Sequence, residues 1–83
     1  MVKVRVYTTA YCPFCDAAKR LLKQRNIAFE EIDVSEGSAR AELKNRTGWR
    51  TVPQVFLGEE LIGGYQELAA IDANGELARR LKA

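Results

Sequence analysis

The chain has 83 residues, enough for one compact domain and too few for two. It is 47% hydrophobic and 29% charged, which excludes a disordered tail, and its net charge of +2 is interspersed, which argues against a nucleic-acid-binding stripe. Charge breaks the N-terminus within five positions and no apolar run approaches the ~18 residues of a membrane span, so the reading is a single cytoplasmic domain over residues 1–83 with no membrane partner.

The first element is “VKVRVYT”, where Val2, Val4 and Val6 alternate with Lys3, Arg5 and Tyr7. That period of two, on β-branched residues, predicts a strand over about residues 2–8. Ala18, Leu21, Leu22 and Arg25 then repeat at three and four, predicting a helix from about Pro13 to Arg25, with Asn26 as its stop. Proline suits a first helical turn, where its missing N–H is no loss. “AFEEIDV” predicts a second strand near residues 28–34. “SEGSARAELKNRTG” predicts a second helix with Ser35 or Ser38 as N-cap and Gly48 just past its end.

“TVPQVFL” is a third, apolar strand beginning near Val52, with Pro53 confined to its first residues. “GEE” makes a turn, “LIG” a fourth strand, and “GG” a sharp break into “YQELAAI”. “GELARRLK” is a last helix with Leu77 and Leu81 on one face. The order β-α-β-α-β-β-α is an α/β arrangement. Its βαβ half makes two parallel neighbouring strands, and the hairpin completes a four-stranded mixed sheet covered by helices on both faces.

Both cysteines fall in “YCPFC”, three residues apart, and there is no histidine. In a reducing compartment such a pair is catalytic or metal-binding rather than a structural staple, and the loop it would close is too short to stabilise much. Cys12 lies where a strand hands over to a helix, amid unpaired N–H groups and the positive end of the helix dipole, which favour a thiolate. Cys15 follows one turn later. It is less exposed and expected nearer an ordinary thiol pKa, so Cys12 attacks and Cys15 resolves the mixed disulfide. Pro13 stiffens the turn and Phe14 fills the remaining position. The plain alternative is two small buried hydrophobes. A zinc site needs four ligands, which two thiols cannot supply in one chain, so no metal is expected unless two chains share it.

“CPFC” after the first strand, “TVPQVF” at the third and “GGYQEL” after the fourth resemble the glutaredoxins, and the likeness runs over essentially the whole chain. The resemblance implies a thioredoxin fold, glutathione as reducing co-substrate, and reduction of protein disulfides and glutathione-mixed disulfides by a monomer. It implies a cis Val52–Pro53 bond that leaves the Val52 backbone facing Cys12, free to pair with glutathione as a short strand. It also implies that backbone N–H groups of the “GGY” corner meet the γ-glutamyl carboxylate. The glutathione-binding residues it implies are Thr9 and Tyr11 before the nucleophile, Arg50, Thr51, Val52 and Pro53, and Gly64, Tyr65 and Gln66.

Two positions depart from the family pattern. Thr9 stands where members commonly carry a lysine, and Gln66 where they carry an aspartate. Arg50 is the candidate to hold the glycine carboxylate instead, by a bidentate contact, and Glu67 is the candidate for the γ-glutamyl amine. Trp49 reads either as a substrate contact or as a packing residue. Two rival functions follow from the same resemblance. One is an electron donor to ribonucleotide reductase reduced by thioredoxin reductase. The other is an iron–sulfur carrier formed as a glutathione-bridged dimer, which Pro13 disfavours.

Overall fold

The computed structural model describes residues 2–82. In chain order it contains β1 (Val4–Thr8), α1 (Pro13–Gln24), β2 (Glu30–Asp33), α2 (Gly37–Thr47), β3 (Gln54–Leu57), β4 (Glu60–Gly63), α3 (Tyr65–Ala73) and α4 (Glu76–Lys82). The four strands form one sheet in the order β2-β1-β3-β4. β1 runs parallel to β2, with Arg5 opposite Glu30 and Thr8 opposite Asp33. It runs antiparallel to β3, with Val4 opposite Leu57 and Tyr7 opposite Gln54. β3 and β4 form an antiparallel hairpin with one irregularity between Val55 and Phe56. The expected mixed four-stranded sheet is therefore present.

Because β1 is central, both of its faces are covered. Val4 and Val6 meet Ala18 and Leu22 of α1, Leu68 of α3 and Leu77 of α4, together with Val55 and Leu57 from β3. This is the larger core, and each of those side chains is at most 5% exposed. On the opposite face Tyr7, Val34 and Leu43 make a smaller cluster, with Ile32, Val52 and Phe56 packed beside it. Tyr7 meets Phe56 edge-on at 5.5 Å between ring centroids, and the Arg5 guanidinium lies 5.8 Å from the same ring. Of the residues alternating with the valines in β1, Tyr7 thus shares a buried cluster with Leu43 of α2, whereas Arg5 is half-buried and donates to the Gly58 carbonyl at 3.1 Å.

Three details differ from the sequence reading. The segment “YQELAAI”, given no element there, is a nine-residue helix, α3, so the chain has four helices where three were expected. Its apolar Leu68 and Ile71 lie one turn apart, and Asn74 with Gly75 at φ +84° separates it from α4. The N-cap of α2 is Glu36 and makes no side-chain cap bond, whereas Ser35 or Ser38 was expected. Ser35 is committed elsewhere, its hydroxyl accepting the Ala10 N–H at 2.9 Å, and Ser38 donates to the Glu36 carboxylate at 2.6 Å. β1 and β2 are also shorter than expected, whereas β4 begins one residue earlier than “LIG”, at Glu60. Gly48 does close α2, in the left-handed conformation that favours glycine. Among the described residues no helix is long and apolar enough to cross a membrane.

Candidate active site

The carboxyl end of β1 delivers the chain over the edge of the sheet, and Pro13 restarts it as α1. Cys12 is the N-cap of that helix, in extended conformation at φ −112° and ψ 103°. In that position the Cys15 backbone N–H donates to Cys12 Sγ at 3.2 Å. Like other first-turn N–H groups this donor has no carbonyl partner within the helix, and the N-cap sulfur accepts it instead. The Cys12 thiol itself donates to the Val52 carbonyl oxygen at 3.8 Å, across 40 positions of sequence.

Cys12 is part-exposed, whereas Cys15 is 1% exposed. Burial pushes the Cys15 thiol up to about 12, and a hydrogen bond with the Cys12 side chain adds to it. The Thr9 backbone N–H and the Lys19 charge pull weakly in the other direction. The expectation of an ordinary pKa at Cys15 is thus corrected: its thiol is sealed beneath the first helical turn and stays protonated at neutral pH. Only one sulfur of the pair is accessible to a disulfide in solution.

A small polar network braces this corner. The Thr8 hydroxyl donates to Glu31 Oε2 at 2.8 Å, and Lys19 Nζ donates to the same oxygen at 2.9 Å. Lys19 and Thr8 together hold the Glu31 carboxyl below the usual carboxylate range. β1, β2 and α1 are thereby tied together directly behind the cysteine turn.

A groove of about 330 Å³ is lined in part by Val52, the residue whose carbonyl Cys12 Sγ meets, although Cys12 itself is not among its lining residues. Of the residues singled out in the sequence, Thr51, Val52, Pro53, Gly64, Tyr65 and Gln66 line it, joined by Phe14, Trp49 and Glu67. The Val52–Pro53 bond is cis, as the resemblance implied. Phe14 and Tyr65 face each other across the groove mouth at 6.3 Å. Arg50 lines a second hollow of about 320 Å³, which shares Trp49, Thr51 and Val52 with the first and adds Arg40 and Lys44 of α2. Thr9 lines neither hollow. Tyr11 lines neither and stands fully exposed.

At the far end of the groove the Gly64 N–H donates to Glu67 Oε1 at 2.8 Å, so the Glu67 carboxylate caps α3. Gly63 makes this approach possible. Its φ is +129°, and a Cβ there would sit 2.8 Å from Glu67 Cγ.

Two contributors were not singled out from the sequence. Gln54 is 2% exposed, and its Nε2 donates to the Trp49 carbonyl at 2.9 Å and the Thr51 carbonyl at 3.2 Å. It holds the loop before the cis bond from beneath. A lone glutamine inside the apolar “TVPQVFL” was the available signal. Arg40 and Lys44 are the second omission; their spacing of four along α2 puts both on one helix face, beside Arg50. The buried Gln54 Oε1 and Trp49 Nε1 have no protein partner, and both residues line the second hollow. Among the described residues no three or more carboxylate or thiol groups gather to hold a metal ion.

The family model described as Glutaredoxin matches residues 4–62. Glutaredoxin 3 of Escherichia coli is 41% identical over 83 residues, covering 99% of this chain and 100% of that protein. A glutaredoxin of Pseudomonas aeruginosa is 42% identical over 84 residues, covering all of both. Among solved structures, the buckwheat glutaredoxin–glutathione complex superimposes with a TM-score of 0.87 at 30% identity, over 98% of this chain and 77% of that one. The solution structure of a Brucella melitensis glutaredoxin gives 0.84 at 41% identity, over 95% and 87%.

Proposed function

For a chain that belongs to the glutaredoxin family of thiol–disulfide oxidoreductases, we propose a glutathione-dependent activity on protein disulfides and glutathione-mixed disulfides. The observation that carries it is the pairing of one accessible sulfur, Cys12, with a sealed thiol, Cys15, where Cys12 meets the carbonyl of Val52, a residue that lines a groove.

Toward a glutathionylated protein, Cys12 sulfur attacks the glutathione sulfur of the mixed disulfide. The protein leaves as thiolate and takes up a proton, and Cys12 carries the glutathionyl group. A second glutathione thiolate attacks that group's sulfur, giving glutathione disulfide and restoring Cys12. Toward a protein disulfide, Cys12 binds one substrate sulfur and releases the other. Cys15 then gives up its proton and attacks Cys12 Sγ, expelling the second substrate thiolate, which is protonated. Two glutathiones reduce the resulting Cys12–Cys15 disulfide.

In this reading the peptide of glutathione lies along Val52, as a strand would, in the groove that Phe14 and Tyr65 also line. Its γ-glutamyl carboxylate takes the Gly64 N–H after Glu67 releases it. Arg50 and Arg40, bordering the adjoining hollow, meet the glycine carboxylate and do the work that Thr9 has no charge to do. A reducing compartment, the cytoplasm, is part of the proposal, since the pair has to be returned to thiols after each cycle.

The test couples the protein in parallel to glutathione with glutathione reductase and to thioredoxin reductase, following NADPH. Consumption with glutathione is expected; consumption only with thioredoxin reductase overturns the reading in favour of a thioredoxin-reductase-fed donor. Cys12→Ser is expected to abolish both reactions. Cys15→Ser is expected to keep deglutathionylation and lose disulfide reduction.

A further inference from the structure

Tyr11 immediately precedes the nucleophile, yet packing accounts for neither its side chain nor its backbone. Its ring stands wholly in solvent, and the other large hydrophobic side chain exposed among the described residues is Phe14, at 58%. The two bracket Cys12. Tyr11 also has φ +57°, a left-handed conformation that bulky residues rarely adopt and that costs free energy. A ring surrounded by water recovers none of that cost by burial.

The strain is fixed from both sides. One residue earlier, the Ala10 N–H is held by Ser35 Oγ, whose own backbone N–H donates to Asp33 Oδ1 at 2.7 Å. One residue later, Cys12 is committed as the N-cap of α1. Between these anchors the backbone at Tyr11 is held in one orientation, with its ring outside the walls of both hollows. A tyrosine whose backbone is already held has only the rotation of its ring left to lose on binding, and such a side chain suits an anchor for protein contacts.

We propose that Tyr11 is a specificity residue for the protein half of the reaction, stacking on the extended polypeptide that flanks the target cysteine. The geometry commits the partner to that segment. When a substrate sulfur is bonded to Cys12, the chain on either side of it passes within reach of the neighbouring residue. Phe14, by contrast, lines the groove and belongs to the smaller ligand. Tyr11 therefore separates protein substrates from small disulfides without taking part in the chemistry. The proposal rests on thiol–disulfide exchange at Cys12, not on the identity of the reductant.

The experiment uses a Cys15→Ser background, so that only Cys12 reacts, and contains no glutathione. Two probes carry the same leaving group: an unstructured cysteine-containing peptide and free cysteine, each activated as a mixed disulfide with 5-thio-2-nitrobenzoate. Attack on the peptide or cysteine sulfur joins it to Cys12 and releases the coloured thiolate. Tyr11→Ala and Tyr11→Gly are expected to slow the peptide reaction about tenfold and to leave the cysteine reaction within about twofold, the size of an anchor residue's loss. Tyr11→Phe is expected to retain the peptide rate. Equal slowing of both probes, or no slowing with the peptide, overturns the proposal. Because glutathione is absent, the result stands whatever reduces the enzyme.

Discussion

Two short segments flank the Cys12 sulfur, and they are built in opposite ways. The loop over residues 49–53 is held from within. Pro53 and Gln54 are buried, the Gln54 amide ties down two of the loop's carbonyls, and Trp49 N–H is accepted by Thr47 Oγ1 at 3.1 Å. The turn over residues 9–11 is held only at its ends and presents a strained, uncovered tyrosine. A wall assembled before the ligand arrives suits a ligand of constant shape, since little ordering remains to be done on binding. An exposed aromatic beside the nucleophile suits partners that share only a cysteine. The contrast divides recognition at one sulfur between a fixed groove and an open shoulder.

The comparison can be broken most severely at the groove's far end. Gly63→Val places a branched side chain at φ +129° and against the Glu67 stem, and should cost about 3 kcal/mol in denaturant unfolding. Gln54→Leu removes the donor beneath the loop and leaves the Trp49 and Thr51 carbonyls unpartnered. It should cost about 2 kcal/mol and raise KM for glutathione, with both effects read on one preparation. If stability falls while KM is unchanged, the loop is not a preformed wall.

Alkaline titration tests the sealed thiol. Cys15 is raised in the folded state, so between the ordinary thiol value of 9.0 and about 12 the native protein holds a proton that the unfolded chain has lost. Stability contributed by this group is therefore complete below pH 9 and is lost as pH rises toward 12. A Cys15→Ala variant, melted alongside, should show a shallower decline over that window.

Tyr11→Gly relieves the left-handed strain and should stabilise the fold by about 1 kcal/mol, the opposite sign to the two groove variants. A loss of stability there would mean that the turn is held by contacts that an exposed ring does not make. The smallest effect belongs to the rim. Arg40→Ala with Arg50→Ala should raise the glutathione KM a few-fold, about 0.5–1 kcal/mol, and added salt should erase most of the difference.

Much of this was legible in the residues. The alternating valines of β1, the three-and-four spacing along α1 and the glycine ending α2 are local patterns, and local patterns set local conformation. The thiol pair and its placement where a strand meets a helix were legible too, and the structure leaves Cys12 part-exposed and Cys15 buried. What escaped had two physical causes. α3 was passed over because “YQELAAI” is short, and its helix is stabilised chiefly by Leu68 reaching a core made by distant strands. Arg40, Lys44 and Gln54 gave only ambiguous signals, since a charged helix face and one polar residue in a strand have ordinary explanations until their neighbours are known.

The sequence by itself determined most of the elements in their order and the placement of the two cysteines where a strand meets a helix, because each depends on residues adjacent in the chain. Only the tertiary structure decided what faces the Cys12 sulfur. The Val52 carbonyl arrives from 40 positions away, Glu67 occupies the Gly64 N–H, and burial raises Cys15. It also leaves Tyr11 and Thr9, like Cys12, outside the lining of both hollows. Solvent exposure and ligand approach depend on which surfaces the folded chain brings together, and no spacing along the chain specifies that.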